Sequence, residues 1–357
     1  MDEVVIAELS TRPSKTFQRL LAGLLLLLTG FVAGLLVGAR SDDGGTPTPE
    51  VAVPAPEQES VPAPEQEAVP APLLPRWTPG DASEGADIVV GALVSCVLWA
   101  DGNLRCWGSP PLDRITPPEG TRLQQLSVGD AHGCGIDEDG DTVCWGSSID
   151  GRPMAAPDER FLLIRASPSG PGQPVQQCGL LPDRIVCWTP DWDGATVSRT
   201  LEGSFSDFAI SGEQHLCAIE EDGALICVGG LFPLDPPVDV SMVSVSLGWF
   251  FGCAITDGGA LHCFGTLPDA PDFAGLTAGV PDGNDFVRVA VGELDACAIR
   301  RDGSSVCWGR NGLTPPADVS LSAIAVGAGH ACALTEAGTP VCWGQDHMGQ
   351  ASVPQFR

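Results

Sequence analysis

The chain contains no tyrosine, one lysine (Lys15) and five histidines among 357 residues. The standard signatures of catalysis are missing with them. There is no Gly-x-Ser-x-Gly elbow, no His-Glu-x-x-His pair, no phosphate-binding P-loop and no dinucleotide fingerprint. These absences yield no catalytic residue, no cofactor-binding residue and no cofactor. Positive charge is scarce as well: the formal net charge is −28. Residues 87–357 alone hold thirteen basic against thirty-four acidic side chains, which argues against binding nucleic acid or anionic lipid through bulk electrostatics. No helical periodicity appears after residue 40, so an all-β domain is expected there. Abundant Ala, Gly, Pro and Arg beside so little Lys and Tyr suggest a GC-rich genome.

Cysteine is equally confined. All fourteen cysteines fall in a unit repeated seven times, whose cleanest copy is VGAGHACALTEAGTPVCWG at 326–344. In Cys217-Ala-Ile-Glu-Glu-Asp-Gly-Ala-Leu-Ile-Cys227 a three-residue loop ending at Gly223 supplies the left-handed residue that this hairpin type needs. Counting outward then sets Cys217 opposite Cys227, within disulfide reach. Gly102, Gly140, Gly259, Gly303 and Gly338 repeat the arithmetic; a two-residue Pro182-Asp183 loop achieves it in the shorter third copy. The expected pairs are Cys96–Cys106, Cys134–Cys144, Cys178–Cys187, Cys217–Cys227, Cys253–Cys263, Cys297–Cys307 and Cys332–Cys342. Zinc competes for these thiols, since His132, His215 and His330 each precede a cysteine by two. But four copies lack that histidine and Cys-x₈₋₉-Cys is not a zinc spacing, so no metal site is assigned.

Ahead of the repeats, residues 1–19 form a polar tail with Arg12, Lys15 and Arg19. Residues 20–39 carry no charge and are long enough to span a bilayer as a helix. The flanking charges predict a cytoplasmic N-terminus and an exported remainder. Cleavage of a signal peptide near Ala39 is the rival, and the length of the apolar run favours an uncleaved signal-anchor. No cysteine follows the run, which excludes a lipoprotein. Gly30, Gly34 and Gly38 share one helix face and could bring two such helices together as a homodimer. Export agrees with the cysteines, because seven disulfides persist in a periplasm or outside a cell. Residues 40–86, with VPAPEQES followed by VPAPEQEA, read as an extended Pro/Glu-rich spacer reaching on the order of 100 Å.

From residue 87 each copy opens with a short apolar strand, followed by the two cysteine strands and a Pro-containing stretch, at a period of about 35–44 residues. Three clear strands plus a fourth per copy make a propeller blade. The motif Val-Gly-x-x-His-x-Cys-Ala-Leu…Val-Cys-Trp-Gly resembles the RCC1 (regulator of chromosome condensation) repeat, in its bacterial, cysteine-rich exported branch. The resemblance covers 87–357 and implies a seven-bladed β-propeller whose recurring His and Trp pack between blades. Departures are Val228 and Phe264 at the Trp position, and Val94, Gln176, Phe251 and Asp295 at the His position. The family's nucleotide-exchange activity does not carry over to an exported, acidic chain; what carries over is a platform that binds other proteins.

In such a blade the loop between the first two strands and the loop after Cys-Trp-Gly share one face. The long insertions 147–160, 168–177, 189–206 and 266–285 fall mostly there, and so does Trp249-Phe250-Phe251. These three aromatics are the candidate partner-binding residues. The expectation is a membrane-anchored, non-catalytic protein-binding platform, with two alternatives. One is a propeller hydrolase or lyase acting on polysaccharide or cell-wall material, which carboxylates converging on the channel would favour. The other is a purely structural stalked component.

Overall fold

The computed structural model describes residues 87–109, 115–148, 151–167, 175–230, 232–265, 276–277 and 279–355. The expected tail, spanning segment with its glycine face, and spacer, residues 1–86, lie outside the described residues. Among those described, no helix is long and apolar enough to cross a membrane.

The hairpin arithmetic holds in all seven copies. In the fourth, Gly223 takes φ +89° and donates its N–H to the Glu220 carbonyl, while Glu220 bonds Ala224 across the loop. Cys217 then stands opposite Cys227. In the third copy Leu181 bonds Arg184 across Pro182-Asp183, and Cys178 stands opposite Cys187. All seven expected disulfides form, with Cα atoms 4.0–4.1 Å apart, and no cysteine is left free. The zinc alternative thereby falls: the thiols are consumed by one another.

Each copy is one antiparallel sheet. Blade 1 contains β1 (Asp87–Val90), β2 (Val94–Leu98) and β3 (Leu104–Gly108); blade 2 contains β4 (Leu123–Val128), β5 (His132–Asp137) and β6 (Thr142–Gly146). Blade 3 has β7 (Leu163–Ala166), β8 (Gln177–Leu180), β9 (Arg184–Asp191) and β10 (Gly194–Glu202). Blade 4 has β11 (Phe205–Ile210), β12 (His215–Glu220) and β13 (Leu225–Gly229), and blade 5 has β14 (Met242–Leu247), β15 (Gly252–Thr256) and β16 (Leu261–Phe264). Blade 6 has β17 (Phe286–Val291), β18 (Asp295–Arg300) and β19 (Ser305–Gly309); blade 7 has β20 (Leu321–Val326), β21 (His330–Thr335) and β22 (Pro340–Gly344). The expected fourth strand is found in blade 3 alone among the described residues. Elsewhere proline pairs such as Pro117-Pro118, Pro236-Pro237 and Pro315-Pro316 stand in the outgoing segment, where a residue without an N–H cannot extend the ladder.

First strands pack side by side around an axis, and β20 returns to β1, closing a seven-bladed propeller. Middle strands are buried on both faces: β2 reads Val-Ser-Cys-Val-Leu and is buried throughout. The core is therefore a set of wedges between adjacent sheets. Val94, Cys96 and Leu98 meet Leu123, Leu126 and Trp145 between blades 1 and 2; Phe161, Ile164 and Trp188 meet Cys134 and Ile136 between blades 2 and 3.

The blade 7–blade 1 seam packs Ile88, Val97 and Trp107 against Ala323, Cys332 and Leu334. No strand is exchanged across it. Instead the Gln350 carbonyl accepts bonds from Ser95 Oγ (2.8 Å) and Trp107 Nε1 (3.0 Å). Trp188 donates to Ala155 (2.9 Å) and Trp308 to Leu276 (3.2 Å) in the same way, each reaching the segment that precedes its own blade. The C-terminal segment thus serves blade 1 as an ordinary inter-blade linker would.

Candidate functional site at the upper mouth of the channel

The first strands enclose a channel of about 320 Å³. These strands are inner sheet edges with free backbone donors, which unpaired would cost free energy. Polar side chains of the following blade or the preceding one meet several of them. Ser127 Oγ accepts Ala166 N–H (2.7 Å), Asp207 Oδ2 accepts Val245 N–H (3.2 Å) and Ser246 Oγ accepts Val291 N–H (3.0 Å).

Asp87, Arg165 and Asp207 line the channel from blades 1, 3 and 4, and Arg288 of blade 6 acts on both carboxyls, making a girdle of four charged side chains. Arg165 Nη2 stands 3.6 Å from Asp207 Oδ1, and the two side chains remain 40% and 17% exposed to the channel. Burial raises the Asp87 and Asp207 carboxyls above their ordinary range, and the two guanidiniums oppose that rise. Burial lowers Arg288, which both carboxylates counter. The girdle thus sets two guanidiniums against two carboxyls, with one ion pair, Arg165–Asp207, formed directly.

The upper mouth is formed by the loops between first and second strands. Its neck is glycine: a Cβ on Gly248 would lie 1.9 Å from the Gly292 carbonyl oxygen, one on Gly292 2.2 Å from that of Gly327, and one on Gly327 2.5 Å from that of Gly91. Adjacent blades approach backbone to backbone there, which only glycine permits. Directly after these glycines and Gly129, whose carbonyl oxygen a Cβ on Gly91 would meet at 2.4 Å, come Ala92, Asp130, Trp249, Glu293 and Ala328. Trp249 and Glu293 line the channel. Asp130 Oδ1 accepts the Ala92 N–H (2.9 Å). Burial, with Glu293's like charge adding to it, pushes the Asp130 carboxyl up to about 6 against that bond's lowering effect. Glu293 is likewise raised by burial and by Asp295. Asp295, fully buried, accepts the Asn311 N–H at 2.8 Å.

The three expected aromatic anchors separate. Trp249 and Phe250 are half-buried, their rings edge-on with centroids 6.1 Å apart. Phe251 is 1% exposed, packed with Cys253, Ile255 and Phe286 between blades 5 and 6. Phe251 occupies the histidine slot of the repeat, which points into a wedge; it is core and offers no surface to a partner. Of the insertions, 189–206 forms the β9–β10 hairpin and places Trp192, 65% exposed, at its turn. Residues 168–174 and 266–275 lie outside the described residues.

The slot histidines are buried too. His330 Nε2 lies 3.0 Å from Ser95 Oγ. His215 meets Ser211 Oγ at 3.0 Å and the Phe232 carbonyl at 2.7 Å. His132 has no partner on either nitrogen. Burial lowers His132 and His330 to about 4, so both are neutral at pH 7 and act as wedge residues. Among the described residues no group of three or more metal-ligating side chains converges.

The girdle and the carboxylates at the mouth were not legible in the sequence, because Asp87 and Arg288 meet only when the ring closes. The family profile for the regulator of chromosome condensation (RCC1) repeat matches residues 321–350, which is blade 7 with its closing segment. No curated protein sequence matches the chain. Among solved structures, the CRINKLY WD40 ectodomain of the Arabidopsis thaliana receptor kinase ACR4 is similar at 24% identity and TM-score 0.56, over 73% of this chain and 94% of that one. The entire ectodomain of the Physcomitrella patens receptor kinase CR4 is similar at 18% identity and TM-score 0.57, over 73% of each chain. The RCC1 repeat is thus matched in blade 7, and the same cysteine register recurs in the other six blades.

Proposed function

We propose that the chain is a non-catalytic protein-binding platform that grips its partner at the upper mouth. One observation carries this: Trp249 lines the channel with Phe250 edge-on beside it, both half-buried, and an aromatic pair gives a partner apolar area at low entropic cost. Seven disulfides fit an oxidising compartment, periplasmic or extracellular. The rest of the reading comes from sequence: residues 20–39 as a retained single-pass anchor, 1–19 in a bacterial cytoplasm, 40–86 as the spacer presenting the propeller. The test is affinity capture of envelope and secreted proteins with the oxidised full chain beside a Trp249→Ala, Phe250→Ala variant of equal melting temperature. A partner retained by the first and lost by the second supports the platform; identical capture by both removes the rim from it.

A second reading, hydrolysis or lysis of a polysaccharide, is favoured by the raised carboxyl of Glu293, which lines the channel, and that of Asp130, on which Glu293 acts. Turnover of cell-wall glycans that disappears in Glu293→Gln would establish it.

A further inference from the structure

The first cysteine of each pair marks a level in the channel. Opposite it on the first strand stand Val89, Ser127, Ala209, Ser246, Ala290 and Ala325, none larger than valine, and in blade 3 Arg165. Two residues earlier, Asp87, Asp207, Ser244 and Arg288 share the level below. Two residues later come the glycines of the neck. Side chains alternate along a strand, so the three levels lie on one face of each strand. The channel is thus a small-walled chamber with a charged floor, and a single guanidinium projects from its wall. Arg165 has donors to spare. Its Nη1 donates to the carbonyl of its own neighbour Ile164 at 3.4 Å. Its Nη2 stands 3.6 Å from Asp207 Oδ1, an ion pair longer than a hydrogen bond, and the side chain is 40% exposed. Asp87, which also lines the channel, is open likewise. Its Oδ1 accepts the N–H of its neighbour Ile88, and among the described residues no cation pairs with it directly. A guanidinium and a carboxylate held partly out of water and short of partners favour a ligand that brings the opposite charges.

We propose that the channel binds a small zwitterion of the α-amino-acid type, its carboxylate on the Arg165 fork and its ammonium on Asp87 and Asp207. This goes beyond the platform reading and does not depend on it. Two arginines and two aspartates sum to zero formal charge, so a neutral zwitterion enters without leaving a net charge inside. A simple anion would sit beside Asp87 and Asp207, and a simple cation beside Arg165 and Arg288. The closeness of Arg165 to Asp207 matches a ligand whose two charges sit on neighbouring atoms. Ala209, Ala290 and Ala325 leave room beside them for a Cα and a short side chain. The channel volume of about 320 Å³ is at the small end for ligand clefts and suits one small molecule.

The test uses the full oxidised chain and the standard L-amino acids, offered singly and read by saturation-transfer NMR and calorimetry at neutral pH. At least one is expected to bind; if none does, the proposal falls. For the binder, the same molecule without its ammonium and the same molecule without its carboxylate should each bind about tenfold more weakly, as loss of a charged hydrogen-bond partner predicts. Undiminished affinity of either would overturn the zwitterion. Arg165→Gln should likewise weaken binding by about tenfold. Arg165 also pairs with Asp207 and lies 6.0 Å over the Phe208 ring, so its loss can disturb the fold. Ala325→Leu is therefore the second variant: it fills the chamber, removes no charge and should abolish binding, with the melting temperature measured alongside. Glu336→Gln, an exposed carboxylate on the hairpin face, is expected to leave binding unchanged. Binding that survives either of the first two substitutions would place the ligand elsewhere and overturn the site.

Discussion

His132→Phe should make the propeller more resistant to acid, by an amount the structure sets. His132 is fully buried, and neither ring nitrogen has a partner. Burial lowers its pKa from 6.5 to about 4. In the unfolded chain the imidazole takes up a proton near 6.5, and in the folded chain only near 4. Stability present above pH 6.5 is therefore lost as pH falls from 6.5 toward 4. A difference of that size is worth about 3 kcal/mol in full, and about 2 kcal/mol of it is lost between pH 7 and pH 5. Phenylalanine cannot titrate, and blade 5 already holds Phe251 in this slot. The substituted ring must fit against Gly129, whose Cβ would lie 2.1 Å from His132 Cε1, so the variant's stability at pH 7 can move by the cost of overpacking. That shift cancels when each protein is compared with itself. Asp87, Asp130 and Asp207, whose raised carboxyls make the opposite contribution, are common to both proteins and cancel as well. The assay is guanidinium unfolding of the oxidised chain at pH 7 and pH 5, before and after substitution. Wild type should lose about 2 kcal/mol more than the variant over that interval. A difference below about 0.5 kcal/mol, the usual error of additivity, would refute the reading and show that His132 is not neutral and unsolvated in its wedge.

Gly292→Ala should cost about 2 kcal/mol or more, because its Cβ would meet the Gly327 oxygen at 2.2 Å, whereas Gly258→Ala, with nothing nearer than 3.7 Å, should stay within about 0.5 kcal/mol; denaturant midpoints measure both. Replacing Cys253 and Cys263 together by alanine opens a loop of sequence separation 10 and should cost about 3 kcal/mol, read as a lowered melting temperature. Ser95→Ala strips His330 Nε2 of its partner and weakens the hold on the Gln350 carbonyl. It should cost about 1–2 kcal/mol, with protease sensitivity rising first in the C-terminal segment.

What could be read in the sequence was local. A glycine in the hairpin loop and a count outward from it fix the cysteine register, because a hairpin's pairing is decided within about ten residues. The histidine and tryptophan slots follow by repetition, and the structure puts them in the wedges. Phe251 misleads for the opposite reason: Trp249-Phe250-Phe251 is three aromatics in a row, but the last already stands in the slot two residues before Cys253, where every copy points inward. Inner-edge capping by Ser127, Asp207 and Ser246 has no sequence signature, since a serine or aspartate in a strand is silent until its neighbour's backbone donor is placed. The same holds for the girdle, whose members stand on four different blades. That no fourth strand forms outside blade 3 among the described residues was legible in principle, from proline pairs such as Pro117-Pro118 and Pro315-Pro316 in the outgoing segments.

The disulfides staple blades but do not hold the ring. Each closes a hairpin of sequence separation 9 or 10 within one sheet, so none crosses a wedge and none resists the separation of one blade from the next. Ring integrity rests on inter-blade packing, the glycine neck and the side-chain bonds that cap inner edges. At six junctions the chain itself runs from blade to blade. At the seventh it does not, and the Gln350 carbonyl, held by Ser95 and Trp107, stands in for the missing covalent link. Blade 1 is complete without a strand borrowed from the C-terminus. The seam is thus the one wedge whose two blades can part without stretching a linker. The upper mouth straddles this seam: Asp130 and Ala92 lie on one side of it, Glu293 and Ala328 on the other.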